Sequence, residues 1–361
     1  MNFSLVLNRV WLMECWIKSL MSCVTPSWSV AMKKNQLRVN EFGLIERFFR
    51  PLAVNNPGSA SLQDDCATLS VKKGYQAIYS MDTMVEGVHF FKDDPADLIA
   101  KKLLRVNLSD LAASGGDPLG YLLALCLPHG FPLKWLESFA AGLQEDQRKF
   151  NVSLLGGDTT SSNGPITLSI TAIGEIPKDR VIRRAGAMIG DDIFVSGCIG
   201  DAAIALKLFG EIGKANTLKH YPSLYDRYTL PEPRIGLGKL LAGTATACID
   251  ISDGLYADLN HICLASKVGA KIEMGAIPLS KCAKKIIEKN KYYWESVYGG
   301  GDDYELLFTA NKDQRNVIDN FASILNIAIS KVGCIELGKG ISILDQFGDV
   351  VPVKSFGWQH F

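Results

Sequence analysis

Ala77-Ile78-Tyr79-Ser80-Met81-Asp82-Thr83-Met84-Val85-Glu86-Gly87-Val88-His89-Phe90 is the stretch from which this chain is best read. Its short apolar run, Ala77 to Tyr79, delivers Ser80 and Asp82 to the end of a predicted strand, Ala77–Ser80. Glu86 and His89 follow closely. A strand that stops on an oxygen donor and opens into a loop broken by glycine can place a carboxylate for a cation. The same Ser-x-Asp also reads as a capped turn, so recurrence along the chain has to decide.

Downstream, Asp94 as N-cap and Pro95 as first helical residue predict a helix to about Ser114. It carries Leu104, Leu108 and Leu111 on one side and a polar stripe of Asn107, Asp110 and Ser114 on another. Strand Tyr121–Cys126, helix Leu133–Phe150 and strand Val152–Leu155 follow, the last running into Gly156-Gly157-Asp158-Thr159-Thr160. Strand Ile166–Ile173 completes this half. Upstream, Glu41–Arg50 is a short amphipathic helix, Pro51–Ser61 a loop, and Thr68–Val71 a strand after Asp64-Asp65-Cys66-Ala67.

A second half restarts beyond a Gly/Pro-rich, charged stretch, Pro177–Gly190. Strand Ile193–Ser196, a helix from Asp201 and a polar connection, Lys214–Arg227, precede strand Ala247–Ile249. That strand meets Asp250-Ile251-Ser252-Asp253-Gly254 and a helix with Leu255, Leu259, Ile262 and Ala265 on one face. Strand Ala270–Met274, a helix near 280–289 and Gly299-Gly300-Gly301-Asp302-Asp303-Tyr304-Glu305 come next, then a last helix and two or three strands. Alternating strands and helices in two halves predict an α/β (α+β) fold of two domains, 39–180 and 181–361.

The chain has 361 residues, longer than the roughly 250–300 at which single cores stop growing. Formal net charge is zero, which points away from nucleic acid and from a polybasic membrane patch. Nine scattered cysteines without a Cys-x-x-Cys pair argue for a reducing, cytoplasmic setting and against a zinc site or disulfide framework. Residues 1–38 differ from the rest, with Trp11, Trp16 and Trp28 among apolar residues. They read as an N-terminal extension, poorly ordered or not native, with Met32 an alternative start. The uninterrupted apolar run is shorter than the about 20 residues a membrane span requires.

Five acidic motifs sit at predicted strand ends or on helices: Asp64-Asp65, Ser80-x-Asp82, Asn107-x-x-Asp110, Gly157-Asp158 and Asp250-x-Ser252-Asp253. None has a His or Cys partner at zinc-ligand spacing, and hard oxygen donors alone point to magnesium. So many carboxylates suit several ions held against a polyphosphate. Taken singly, Asp64-Asp65 also reads as a solvated turn, Asp250 to Asp253 as an N-cap with spare acid, and Arg183-Arg184 as a basic turn or a phosphate grip. Asp191-Asp192 reads as a turn. No Walker A loop, kinase Gly-rich loop or nucleophile elbow is present, so phosphoryl transfer here would rest on position, metal and positive charge.

Together with Val85-Glu86-Gly87-Val88-His89-Phe90, Gly300-Gly301-Asp302-Asp303-Tyr304-Glu305-Leu306 and the terminal Gly357-Trp358-Gln359-His360-Phe361, these motifs resemble the thiamine-monophosphate kinase family. That family belongs to the aminoimidazole ribonucleotide synthetase-like superfamily. The resemblance covers about Val39 to Phe361. It implies a homodimer formed through the N-terminal sheet, and transfer of the γ-phosphoryl of ATP onto thiamine monophosphate with several Mg2+ ions, without covalent nucleophile or essential base. It also implies metal ligands at Asp65, Ser80, Met81 (backbone), Asp82, Asp110, Asp158, Asp250 and Asp253. ATP contacts fall on Gly157, Asp158, Arg184 and Ser252, and substrate contacts on His89, Asp302 and Trp358. Two positions depart from the family pattern: Gln63 stands for a glycine, and Asp302 for a glutamate one methylene longer. An ATP-dependent synthetase of the same superfamily, of selenophosphate or purine-pathway type, is the alternative activity. A non-enzymatic magnesium-nucleotide sensor is a third reading.

Overall fold

The computed structural model describes residues 40–354 and 356–358. Residues 1–39, with the extension and the alternative start, lie outside the described residues, as do Gln359, His360 and Phe361. Glu41–Phe361 forms one compact unit. Its first element is helical from Glu41 to Ala53: α1 (Glu41–Leu44), a π turn (Ile45–Phe49) and α2 (Arg50–Ala53). A 3-10 segment, Pro57–Leu62, follows.

Four strands make the first sheet: β1 (Tyr75–Val85), β2 (Asp117–Pro128), β3 (Ser153–Ser162) and β4 (Thr167–Pro177), in the order β1-β4-β2-β3. Helices α3 (Ala96–Ala113) and α4 (Leu133–Phe150) cover one face. The alternation of β1 and β2 shows why. Met84, Tyr121, Leu123, Leu125 and Leu127 are buried, whereas Tyr79, Met81, Thr83, Leu122 and Ala124 are exposed. Period-two geometry therefore turns Ser80 and Asp82 towards the helices and leaves Tyr79 and Met81 on an open face.

The second sheet has six strands in the order β10-β7-β9-β5-β8-β6. They are β5 (Asp192–Ser196), β6 (Ala247–Asp250), β7 (Gly269–Glu273), β8 (Leu306–Ala310), β9 (Ile329–Glu336) and β10 (Gly340–Leu344). Around it lie α5 (Asp201–Ile212), α6 (Lys214–His220), α7 (Pro222–Thr229), α8 (Ile235–Leu241), α9 (Leu255–Ser266), α10 (Lys281–Lys289), α11 (Trp294–Gly299) and α12 (Arg315–Leu325). Helix α3 buries 14 of its 18 residues. Its upper part packs in the first sheet's core, while Ala112 and Ala113 join a separate cluster with the stacked rings of Phe194 and Phe308, 5.3 Å apart. A helix buried nearly all round is shared between layers, so most of its polar side chains find their partners inside the protein.

Several sequence expectations need correction. Thr68–Val71 forms no ladder; Thr68 N–H donates to the Gly58 carbonyl instead. The strand through Ala77 does not stop at Ser80 but pairs with β4 as far as Val85, so Asp82 sits inside it. Helix α3 opens one residue later than expected, with Pro95 as N-cap. Asp94 instead accepts from the Phe91 N–H at 2.7 Å. The supposed polar connection at 214–227 holds α6 and most of α7, whose Leu224, Tyr225 and Tyr228 are buried. Ala265 is exposed on α9, where Cys263 joins Leu255, Leu259 and Ile262 inside. Asp191 does hold a turn, accepting from Met188 N–H at 2.9 Å, while Asp192 starts β5 and pairs with Arg315.

Candidate active site

Strand β1 and helix α3 meet at matched spacings, two residues along the strand against three along the helix. The Ser80 hydroxyl donates to Asp110 Oδ2, and the Asp82 N–H donates to Asn107 Oδ1 at 3.0 Å. Asn107 is itself fixed, its amide donating to the Leu103 carbonyl at 2.9 Å. From the neighbouring position on α3, the Ser109 hydroxyl donates to Asp250 Oδ2 at 2.6 Å. Asp250 ends β6, the edge strand of the second sheet, and is only 4% exposed. Three carboxylates from three elements are thus brought together.

Their electrostatics follow from that crowding. Burial, with Asp110 alongside, pushes the Asp82 carboxyl up to about 7. Burial raises Asp110 too, opposed by the Ser80 hydroxyl and by Arg184. Asp250 is held well above the usual range by burial and by Asp110. Each prefers its neutral form because like charges face one another away from water. A hard divalent cation reverses that preference, and a donor set of carboxylate and hydroxyl oxygens fits magnesium. The cluster opens on a cavity of about 460 Å³ lined by Ser80, Asp110, Arg183, Arg184, Ile249 and Asp250. Arg183 and Arg184 are exposed there, suited to gripping an anion.

Asp65, Gly157 and Asp158 fall elsewhere. They line a different cavity, of about 220 Å³, beside Asp64 and against Leu123, Leu125, Leu154 and Leu155. All three are exposed. Gly157 lies where a Cβ would come within 1.9 Å of the Leu123 carbonyl oxygen, so β2 and β3 approach closely only because no side chain is there. Within one chain, Asp82 and Asp158 are on opposite edge strands. Gln63 carries no left-handed strain, its φ being −108°; Ala60, Ser61 and Leu62 before it have φ of 46°, 54° and 57°.

Two of the three substrate candidates, His89 and Asp302, share one neighbour, the ammonium of Lys102. His89 accepts the Val85 N–H on Nδ1 at 3.1 Å, closing the turn after β1. Asp302, at φ 67°, sits in the glycine-rich loop before β8, tied back by its N–H to the Ser252 carbonyl at 2.9 Å. A Cβ on Gly301 would stand 1.9 Å from that same carbonyl oxygen, which makes glycine obligatory there. Beneath the loop, buried Glu305 takes the Ser196 hydroxyl at 2.6 Å and the guanidinium groups of Arg227 and Arg234. The Tyr304 hydroxyl donates to Asp302 Oδ1 at 3.1 Å, and its phenol is raised by burial and by Asp302, Asp82 and Asp250. Tyr304 thus feels the charge of both Asp302 and the carboxylate cluster.

Trp358, from the last described stretch, comes back beside a second sequence candidate, Asp253, just before α9. Trp358 N–H donates to the Asp253 carbonyl at 3.0 Å, with its side chain 56% exposed. Asp253 places one donor atom within 4.8 Å of donors on Asp258 and His261. Asp258 is already committed, accepting the N–H groups of Ser252, Asp253 and Gly254 at 3.0–3.1 Å. Met81 has its side chain on the open sheet face, 63% exposed. Sequence reading missed Ser109, Tyr304, Tyr228 and Lys102. Ser109 stood inside a quoted motif, one residue before Asp110.

Residues 63–176 match the family model described as AIR synthase related protein, N-terminal domain. A thiamine-monophosphate kinase of Caulobacter vibrioides is 38% identical over 324 residues, covering 89% of this chain and 90% of that one. A crystal structure of thiamine-monophosphate kinase from Stenotrophomonas maltophilia superposes with a TM-score of 0.74 at 38% identity, covering 80% of this chain and 91% of its own. A structure described as AaThiL complexed with AMPPCP and TMP gives 0.70 at 30% identity, covering 92% of this chain and all of its own.

Proposed function

Since this chain belongs to the thiamine-monophosphate kinase family, we propose that it transfers the γ-phosphoryl group of ATP directly onto thiamine monophosphate. The products are thiamine diphosphate and ADP. The observation that carries this reading is the cluster of half-buried Ser80, Asp82 and Asp110 with buried Asp250, opening on a cavity edged by Arg183 and Arg184. A relative solved with AMPPCP and TMP supports the pairing of nucleotide and acceptor.

The acceptor is already a phosphate oxyanion, so no strong base and no covalent nucleophile are required. The obstacle is repulsion between two anions. Magnesium ions held by Ser80, Asp82, Asp110 and Asp250, with the Met81 carbonyl and Asp253 as further donors, would supply the charge that offsets it. Arg184 grips the nucleotide's phosphate oxygens from the cavity wall, with Ser252 on its second-sheet side. His89 and Asp302 orient the acceptor, and Trp358 packs against its organic part. Asp65, Gly157 and Asp158 serve metal and nucleotide from the first sheet's other edge. We read 39–180 as the metal-, ATP- and dimer-forming domain and 181–361 as the domain completing the site, in a cytoplasmic homodimer. The open face with Tyr79, Met81 and Leu122 supports pairing through the sheet. No described helix is long and apolar enough to cross a membrane.

The test is to incubate purified protein with ATP, MgCl2 and thiamine monophosphate and to look for thiamine diphosphate. Absence of that product, with turnover of selenide or formylglycinamidine ribonucleotide instead, would overturn the reading.

A further inference from the structure

Lys102 is buried, unlike the other lysines among the described residues, its side chain 4% exposed. Lysine is almost never so enclosed unless its charge is matched. Its ammonium donates to Asp302 Oδ2 at 3.0 Å and to the His89 carbonyl at 3.4 Å, and stands 4.0 Å from the centroid of the Tyr228 ring. The three partners come from the turn after β1, from α7 and from the loop before β8. One cation on α3 therefore ties together the two residues assigned to the acceptor, 213 positions apart in sequence.

We propose that Lys102 is the positioning residue of the acceptor site, acting through Asp302 and His89. This rests on the function proposed above. The geometry specifies what Lys102 does. Asp302 has its Oδ1 on the Tyr304 hydroxyl and its Oδ2 on Lys102, so its carboxylate plane is set at both oxygens. Asp302 also holds a left-handed backbone conformation, φ 67°, which a short polar side chain tolerates but does not by itself lock. Without the ammonium the carboxylate keeps a single fixed partner, and the His89 turn loses its link to the loop. Lys102, His89 and Asp302 are absent from the lining of the cavity edged by Arg183 and Arg184, and Asp302 meets the nucleotide side through its N–H on the Ser252 carbonyl, a backbone bond separate from the carboxylate that Lys102 holds. Thiamine monophosphate presents a cationic ring beside an anionic phosphate, so a carboxylate and an ammonium held in register suit both ends.

The experiment is steady-state kinetics on wild type, Lys102→Met, Lys102→Arg, Asp302→Asn and the Lys102→Met/Asp302→Asn pair, varying ATP and thiamine monophosphate in turn. Lys102→Met should raise KM for thiamine monophosphate about 10-fold or more, the scale of losing a residue that orients a ligating group. KM for ATP should stay within about twofold, as befits a remote site. Lys102→Arg should recover part of the loss, and the pair should be no worse than Asp302→Asn alone, because neighbours that act through one contact do not add. KM does not depend on the fraction folded, so a destabilised variant still reports. A parallel rise in both KM values, or additive single effects, overturns the assignment. A wild-type protein that phosphorylates no thiamine monophosphate overturns the function itself, a result distinct from an active enzyme whose variants fail to show the split.

Discussion

The two edges of the four-stranded sheet carry similar letters in opposite physical states. At the β1 edge, Ser80 and Asp82 are half-buried and closed over by α3 and β6. At the β3 edge, Gly157 and Asp158 are exposed, with Asp65 beside them. The register joins them: Asp82 pairs with Ile170, Ile170 with Leu123, and Leu123 with Gly157. Three strand spacings of about 4.8 Å put the two edges roughly 14 Å apart, too far for one ion to be shared within a chain. A carboxylate pressed among its own kind stores repulsion that a cation releases, while an exposed one stores none. The first edge holds its carboxylates in the crowded state that a cation would relieve; the second gains its charge contrast only when something closes over it.

Removing a member of the crowded edge should have the largest consequence. Asp110→Asn takes away the carboxylate central to the cluster, and kcat should fall on the order of 10²–10³-fold or more, as when one preorganised charge-stabilising group is lost. The metal-free protein should melt no lower, because one of three mutually repelling buried groups has become neutral. Added MgCl2 should stabilise wild type by mass action and the variant far less. A variant that keeps its turnover, or its full magnesium-dependent rise in melting temperature, would break the contrast.

Asp158→Asn should behave differently. It is exposed and unpaired by burial, so stability should change by about 0.5 kcal/mol or less, while kcat/KM for ATP drops about 10-fold through weaker metal and nucleotide binding. Equal losses at Asp110 and Asp158 would show that the two edges are equivalent in spite of their burial. Ser109→Ala probes the buried edge without touching a proposed ligand. It deprives the Asp250 carboxylate of its 2.6 Å hydrogen bond, which should cost about 1–3 kcal/mol in the metal-free protein. Chemical denaturation with and without magnesium checks it, since the bound cation should recover part of that loss.

How far this contrast was legible in the sequence can be traced residue by residue. Ser80, Asp82, Asp110 and Asp250 announced themselves because oxygen donors recur where strands end or helices turn. The polar stripe of α3 was legible too, but not its partners, because Ser80, Asp82 and Asp250 reach it from strands 25 to 141 positions away. For the same reason Lys101 and Lys102 look alike in sequence, although one reaches Glu145 at the surface and the other is enclosed against Asp302. Asp65 and Asp158 were legible as residues but not as a separate edge, since strand order and register are long-range facts. The missed helix α7 left usable signs, Pro222 at its start and Leu224, Tyr225 and Tyr228 at helical spacing. Thr68–Val71 has strand-like composition but pairs with no strand among the described residues.

The smallest effect is expected at Gln63, where the family resemblance leads one to expect glycine. Its φ of −108° and ψ of 0° fall in the bridge region, sparsely populated but open to residues with a side chain, so there is no left-handed strain for glycine to relieve. Gln63→Gly should lower stability by about 0.5–1 kcal/mol through added freedom of the unfolded chain, and leave activity within about twofold. The left-handed turn falls instead on Ala60, Ser61 and Leu62, at φ 46°, 54° and 57°, where side chains are costly. Ser61→Gly should therefore raise the melting temperature while Gln63→Gly lowers it slightly. If Gln63→Gly were the stabilising change, the strain would sit next to Asp64 and Asp65 themselves, and the exposed edge would be preorganised after all.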